Sequence, residues 1–225
     1  MSEIAKGRGV RVEIGYTESA EKTVVGVTKD NPALVNIATH GLAFGSVGYF
    51  KDIEGMDQLD GQAVRIKDPG SPDTSYFLAE DIDSTNFATF SSGIFVPIAT
   101  WRTLSQSTQY QLGGGAPRTE DVGTLIDTID KLETIKLAAE TVTIDVRSFT
   151  EDNEAMAKIR SVARGLGRLV FRITHPPETG FSVGAQRLFY GQPSIPGESL
   201  GQGGTGTGQL TVTVRGQICY LPQLV

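Results

Sequence analysis

Hydrophobic and polar residues alternate in several short segments of the chain, a period of two that is typical of half-buried β-strands. The clearest segments are 10–16, 141–147 and 209–218. In the second of these, the apolar residues Val142, Ile144 and Val146 alternate with Thr141, Thr143, Asp145 and Arg147. Extended, apolar sequence also predicts strands near 94–104, 132–138, 168–174 and 181–190. The pattern therefore favours a mainly β fold.

The period changes once, between residues 147 and 168. Apolar residues then recur at three- and four-residue spacing, which predicts a helix over 151–164 with one buried stripe. That predicted core face consists of Ala155, Ile159, Val162 and Leu166. Ser148 and Thr150 are candidate N-caps, and Gly165 and Gly167 are expected to end the helix. The helix is expected to flank a β-sandwich or barrel-forming sheet.

Residues 24–90 have a different texture, with short strands and frequent turns such as DNP at 30–32 and DPG at 68–70. No helical period is visible there. We therefore predict a discontinuous domain formed by 1–22 and 97–225, with a small all-β module inserted at 23–96. The module is expected to lie on the outside of any assembly that the main domain forms and to be removable without loss of that assembly.

The chain offers little for catalysis. Neither of its two histidines, His40 and His175, has a second His or Cys at ligand spacing, and the motifs of phosphate-binding loops and nucleophile elbows are missing. The single cysteine, Cys219, excludes an intrachain disulfide and is expected to be a packed thiol. Acidic clusters at 52–60 and 80–83 are interpreted as solvated turns. We expect no enzymatic activity, metal or cofactor.

Charge and hydropathy narrow the partners. The net charge of the 225 residues is −6, which disfavours a protein that grips nucleic-acid phosphates but not one that lets nucleic acid pass. No apolar run approaches the ~20 residues of a membrane-spanning helix, and no apolar leader is visible. We expect folding in a cytosol and no membrane partner.

The inserted module shows a resemblance. The segments VTKDNPALV at 27–35, THGL at 39–42, GMDQLDG at 55–61 and SYFL at 75–78 occur in an order similar to a small β module of phage tail proteins. That module is related to a subdomain of ubiquitin-activating enzymes. The resemblance implies a structural or surface role without chemistry of its own.

Four segments of the rest of the chain carry a second resemblance: ETVTIDVRSFTEDNEAMAKI at 140–159, LVFRIT at 169–174, FYGQPSI at 189–195 and GQLTVTVRGQI at 208–218. In this order they resemble the major tail tube proteins of long-tailed, siphovirus-like bacteriophages. The resemblance implies a structural virion protein that self-assembles into stacked hexameric rings. The rings would form a conduit for genome ejection, assembled in the host cytoplasm. Double-stranded DNA would pass without specific binding, and tape-measure, terminator and distal tail proteins would meet the tube ends.

The resemblance also implies roles for residues. An arm at 113–138 would reach a neighbouring subunit through Leu125, Ile126, Ile129 and Leu132. Polar residues of the alternating strands would face a water-filled lumen, namely Glu13, Thr141, Thr143, Asp145, Thr211 and Thr213. Arg11, Arg147 and Arg215 are expected to be paired with acids or turned to interfaces. Two other classes stay open: a tail terminator, connector or tail-tip ring protein, and a surface- or carbohydrate-binding β-protein.

Overall fold

The computed structural model describes residues 9–70, 75–105, 107–114, 117–121, 132–137, 139–147, 153–195, 197–199 and 206–224. These residues form sixteen strands, one α-helix and a short 3-10 turn at Asp57–Leu59. The prediction of a mainly β fold with one helix is confirmed.

The strands of the first half are β1 (Arg11–Glu18), β2 (Lys22–Val24), β3 (Gly26–Val27), β4 (Ala33–Asn36), β5 (Val47–Glu54), β6 (Ala63–Lys67), β7 (Tyr76–Ala79) and β8 (Ser92–Thr103). Those of the second half are β9 (Ser107–Gly113), β10 (Pro117–Asp121), β11 (Leu132–Leu137), β12 (Thr141–Arg147), β13 (Leu169–Thr174), β14 (Gln186–Pro193), β15 (Gly197–Ser199) and β16 (Thr207–Leu221). The helix, α1, is Glu154–Arg164.

Fourteen strands form one antiparallel sheet that curls into a half-barrel. Its order is β3-β4-β7-β6-β5-β8-β1-β13-β14-β16-β12-β9, with β2 beside β8 and β15 beside β16. Strand β8 joins the two parts of the chain, because Ile94 pairs with β5 while Trp101 pairs with β1. The predicted boundary between residues 96 and 97 therefore lies within one continuous strand.

One predicted strand begins in the wrong place. The extended sequence from Phe181 indicated a strand over 181–190, but β14 begins at Gln186. Gly184 packs so closely on the backbone of His175 that an added Cβ would lie 1.9 Å from its carbonyl oxygen. This tight approach places residues 181–185 in a loop, with one isolated bridge from Val183 to Leu224.

The helix begins three residues later than predicted. The Asn153 side-chain oxygen accepts hydrogen bonds from the backbone N–H groups of Ala155 and Met156, at 3.0 and 3.3 Å, which is the usual N-cap arrangement. The expected caps Ser148 and Thr150 lie outside the described residues. Ala155 and Ile159 of the predicted core face are buried.

The other end of the helix corrects the predicted core face. Val162 is half-buried against the same cluster, but Leu166 is 73% exposed. The chain leaves the helix at Gly165, and Leu166 has a left-handed conformation with φ of 55°. The N–H groups of Leu166 and Gly167 bond back to the carbonyls of Ala163 and Val162, which is the Schellman pattern. The helical period therefore ends before Leu166, and its side chain points into solvent.

The two faces of the sheet have separate cores. On one face, α1 covers a cluster from the second half of the chain and β1, which includes Ile14, Ile159, Phe171 and Leu210. On the opposite face, the 23–96 segment packs on the rest of the chain. Four residues from outside that segment are buried in its core at 1% exposure or less: Val170, Leu188, Cys219 and Leu221. The inserted segment and the main domain thus share a core.

A buried ion pair strengthens this junction. Arg65 of β6 is 1% exposed, and its Nε donates to Glu80 at 2.6 Å. Its other nitrogens donate to the Gln186 side chain and the Pro222 carbonyl, each at 3.2 Å. Glu80 is itself buried, so its interpretation as part of a solvated turn is wrong. The buried positive charge of Arg65 is tolerated because Glu80 neutralises it and because three acceptors form hydrogen bonds with its guanidinium nitrogens.

A bulge in β16 provides a second connection. Gly216 has a positive φ of 78°, and the β14–β16 register shifts there. The Gln62 side chain accepts from the N–H of Gln217 at 3.0 Å and donates to its carbonyl at 3.1 Å. The amide of Gln62 therefore replaces the strand partner that the bulge removes. Cys219 beside it is buried, which confirms the predicted packed thiol.

Candidate functional site

A polar surface covers three adjacent strands at the β9 end of the sheet. Thr141, Thr143 and Asp145 of β12 lie opposite Thr213, Thr211 and Gln209 of β16. On their other side they lie opposite Gly113, Gln111 and Gln109 of β9. We call this set the threonine face. Five of the six candidate lumen residues belong to it, and each is half-buried or exposed.

The face follows directly from the alternation of β12 and β16. Val142 and Ile144 point to the opposite side and are fully buried under the helix cluster. Since successive side chains of a strand point to opposite sides, the intervening threonines must lie on the face of the sheet that α1 does not cover. Apart from the Asp145 carboxylate, the polar groups of this face are hydroxyls and amides, which form hydrogen bonds with water.

The charge on this face is low. Asp145 accepts a hydrogen bond from the Gln209 side chain at 3.1 Å. Arg215, the next outward residue of β16 after Thr213, forms an ion pair with Asp60 of the inserted segment. Arg11 was also expected to be paired with an acid, and its guanidinium lies 3.8 Å from the Glu13 carboxylate. The expectation of paired arginines is therefore confirmed for Arg11 and Arg215.

Glu13 does not belong to this open surface. It is only 7% exposed, and its carboxylate binds Arg172 on the neighbouring strand at 2.9 and 3.0 Å. The Arg172 guanidinium lies 4.1 Å over the ring of Trp101. Sequence alternation placed Glu13 on a polar face correctly, but Arg172 and Trp101 cover that face here. The expectation that Glu13 lines a water-filled lumen is therefore wrong for this chain.

The sheet ends at β9, whose outer edge has no partner strand among the described residues. From the end of the β9–β12 pair, the chain forms a separate two-stranded hairpin of β10 and β11, with Asp121 opposite Leu132. Leu132 thus begins β11. The other three predicted arm residues, Leu125, Ile126 and Ile129, lie outside the described residues.

One feature of the site, a stacked tyrosine pair, was not found from the sequence. Tyr49 of the inserted segment stacks on Tyr190 of β14, with ring centroids 4.2 Å apart, and donates to Glu18 at 2.9 Å. Burial is the main reason that the pKa of Tyr49 is raised. The stacked pair and Arg215 lie where the inserted segment meets the threonine face. The inserted segment and the threonine face therefore occupy the same side of the sheet.

In the described part of the chain, no three His, Cys, Asp or Glu residues come together as a metal site. A polar groove of about 640 Å³ lies at the end of the threonine face, lined by Gln109, Asp145, Arg147 and Thr207 among others. No helix among the described residues is long and apolar enough to cross a membrane.

Sequence comparisons give no family assignment. The chain matches no known protein-family model and no curated protein sequence.

Proposed function

We propose that this protein is a structural subunit that self-assembles into stacked rings, hexameric by resemblance, and forms a bacteriophage tail tube. The tube would be part of the virion, assembled in the host cytoplasm, and would conduct the genome during ejection. The observation that carries the proposal is the threonine face, which ends at the edge strand β9 and is followed along the chain by the separate two-stranded sheet of β10 and β11.

The free edge favours self-association. An unpaired strand presents a row of backbone N–H and C=O groups that can pair with another chain. The β10–β11 hairpin is a two-stranded unit, and such hairpins are marginally stable alone in water. Both features gain hydrogen bonds or buried surface when copies associate. We propose that β9 and the hairpin are the main contacts within a ring.

The strands that carry polar residues differ from those first expected. Strands β14, β16, β12 and β9 are consecutive, and Gln192 of β14 lies opposite Thr213. If six copies each contribute these four strands, 24 strands at ~4.8 Å give a circumference of about 115 Å before tilt. A tilt of ~40° and side chains of ~5 Å leave a lumen of roughly 38 Å. Duplex DNA, about 20 Å across from its groove depths, would pass with a gap near the Debye length of ~8 Å.

The electrostatics favour passage without binding. Segment 23–96 contains four basic and ten acidic residues, and the other residues contain sixteen of each, so the segment carries the whole net charge of −6. That segment lies on the side of the sheet that carries the threonine face. Double-stranded DNA would therefore meet mainly hydroxyls, amides and acidic neighbours, which do not neutralise phosphates. Arg147, at the end of the threonine face, is the exception, because it is exposed and lines the groove there. At the tube ends we propose contacts with tape-measure, terminator and distal tail proteins.

Electron microscopy of the purified protein tests this function directly. Long tubes are expected. Isolated rings would instead indicate a terminator or connector, and monomers that persist at high concentration would contradict self-assembly altogether.

A charge-insertion pair tests the conduit role. Thr143→Arg with Thr211→Arg places unpaired cations on the threonine face, and the matched control replaces both threonines by Gln. We expect wild-type and Gln tubes to leave short duplex DNA unbound at physiological salt, whereas Arg tubes retain it in a salt-dependent manner. Equal retention by all three would show that this face does not contact DNA.

A further inference from the structure

Leu166 occupies a position that is unfavourable in two ways. It is the left-handed residue of the Schellman motif after α1, where glycine is the usual choice because a Cβ is strained at positive φ. Glycines stand on either side, at 165 and 167, but not at this position. The side chain is also 73% exposed. A strained, exposed leucine with no intramolecular benefit points to a contact made with another molecule.

The exposed large apolar residues are concentrated at the two opposite ends of one group of strands. Six large apolar side chains are exposed in the described part of the chain, and five of them lie at the two ends of strands β13, β14 and β16. At the Leu166 end, where β13 begins and β14 ends, these are Leu166 and Ile195. At the opposite end, which we call the Phe44 end, they are Phe44, Phe181 and Tyr220. The eight residues of β14 separate the ends by about 25 Å.

A cavity at the Phe44 end can receive an apolar side chain. It has a volume of about 470 Å³ and lies between the inserted segment and the C-terminal residues. Its apolar lining comes from Phe44 and Ile66 on one side and from Pro222 and Leu224 on the other. The buried Arg65–Glu80 pair also lines it, with that charge already compensated. The polar residues Lys67, Asp68, Ser182 and Gln223 also line the cavity, so it is apolar only in part, and its volume is large enough for a leucine.

The charges at the two ends are of opposite sign. Exposed Arg164 and Arg168 flank Leu166, and the neighbouring acids Asp52 and Asp60 already lie near Lys51 and Arg215. The Phe44 end exposes three acids, Asp68, Asp81 and Glu178. Lys67 and Arg187 are also present there, and Arg187 is stacked on the Tyr220 ring at 4.5 Å. The excess charge is positive at the Leu166 end and negative at the Phe44 end.

We propose that the partner of both ends is a second copy of this chain, with Leu166 of one copy docked in the Phe44-end cavity of the next. The proposal rests on the proposed self-assembly and identifies its axial contact. Because the two patches differ, the contact is heterologous, and it forms an open stack if successive copies are related by translation along the strands. A repeat along the strand direction would also align successive threonine faces into one continuous polar wall.

Cysteine cross-linking tests the contact in the full chain. The double variant Leu166→Cys with Phe44→Cys should react with a short bismaleimide to give a ladder of covalent multimers. Neither single variant should cross-link alone, and an equal mixture of the two should give dimers only. The native thiol does not interfere, because burial raises the pKa of Cys219 to about 12.

The result separates this contact from the proposed function. Assembled tubes in the microscope without a ladder would overturn the contact and leave the proposed function intact, whereas isolated rings would overturn both. Dimers from Leu166→Cys alone would also overturn it, because they indicate a two-fold contact. Monomers throughout would overturn both.

A second variant addresses folding. Leu166→Gly relieves the positive φ, so the monomer should retain its unfolding midpoint or gain stability. Ring-to-ring association should weaken at least tenfold, measured by sedimentation. Unchanged association of Leu166→Gly would refute the role of this side chain.

Discussion

Removal of the 23–96 segment is the perturbation that tests the shared core most directly. In the variant, a short Gly/Ser linker joins Lys22 to Pro97. The sequence alone suggested that the segment is removable. The structure leads us to expect the opposite, because β8 is cut in its middle and the outer face of β13, β14 and β16 loses its cover.

The cost follows from burial. Val170, Leu188, Cys219 and Leu221 are at most 1% exposed in the intact chain and would meet water in the variant. Exposure of a fully buried apolar side chain costs about 1.5–3 kcal/mol, so the four together cost roughly 6–12 kcal/mol. A typical domain has only about 5–15 kcal/mol of stability. The truncated chain is therefore expected to be unfolded or aggregated.

Soluble yield, far-UV circular dichroism and the urea midpoint measure the outcome. A matched repair variant keeps the deletion and adds Val170→Thr, Leu188→Thr, Cys219→Ser and Leu221→Thr, which makes the uncovered face polar. Partial recovery of folded protein is expected in the repair variant alone. A soluble, cooperatively folded deletion variant without repair would refute the reasoning.

Three further predictions concern single residues. Ile159→Asp buries an unpaired carboxylate under α1 and should lower the free energy of unfolding, measured in urea, by at least about 4 kcal/mol. The control Ser161→Asp, on the exposed side of the helix, should change it by less than about 0.5 kcal/mol. A stable Ile159→Asp protein would contradict the packing of the helix. Arg65→Ala leaves the buried Glu80 carboxylate without a counter-charge and should lower the free energy of unfolding by about 3–5 kcal/mol. The control Lys67→Ala removes an exposed cation and should leave stability almost unchanged. Equal effects of the two substitutions would contradict the buried ion pair. Burial lowers the pKa of His175 in the folded protein. As pH falls below about 6.5, the unfolded chain therefore takes up a proton at this residue more readily than the folded protein, and the free energy of unfolding should decrease. His175→Gln should reduce that loss, measured as urea midpoints at pH 7.5 and 5, and an identical pH dependence would refute it.

The sequence predicted the threonine face because the two sides of β12 and β16 have different chemistry. Val142 and Ile144 alternate with threonines, and a strand that is apolar on one side and polar on the other fixes its own orientation. Local pattern was sufficient there. The same pattern misled at Glu13, because the groups that cover it, Trp101 and Arg172, come from distant parts of the chain.

Other errors have the same origin. Leu166 continues the three- and four-residue spacing of the helix, but hydrogen bonding ends the helix before that residue. Arg65 lies in the alternating segment AVRIK, and only the fold shows that Glu80, Gln186 and the Pro222 carbonyl converge on it. Long-range contacts decide which polar residues are buried, and a single sequence does not contain them.

The continuity of β8 has a mechanical consequence. A pull on the 23–96 segment would travel along the backbone of one twelve-residue strand into the main domain, instead of through a flexible hinge. Hydrogen bonds between β8 and β1 lie across that direction, so the pull loads them in shear, and several must break together. The Gln62–Gln217 bonds and the Arg65 ion pair resist the same displacement. In the proposed tube, torsion and tension on the 23–96 segments would therefore reach the sheet that forms the wall with little internal slack.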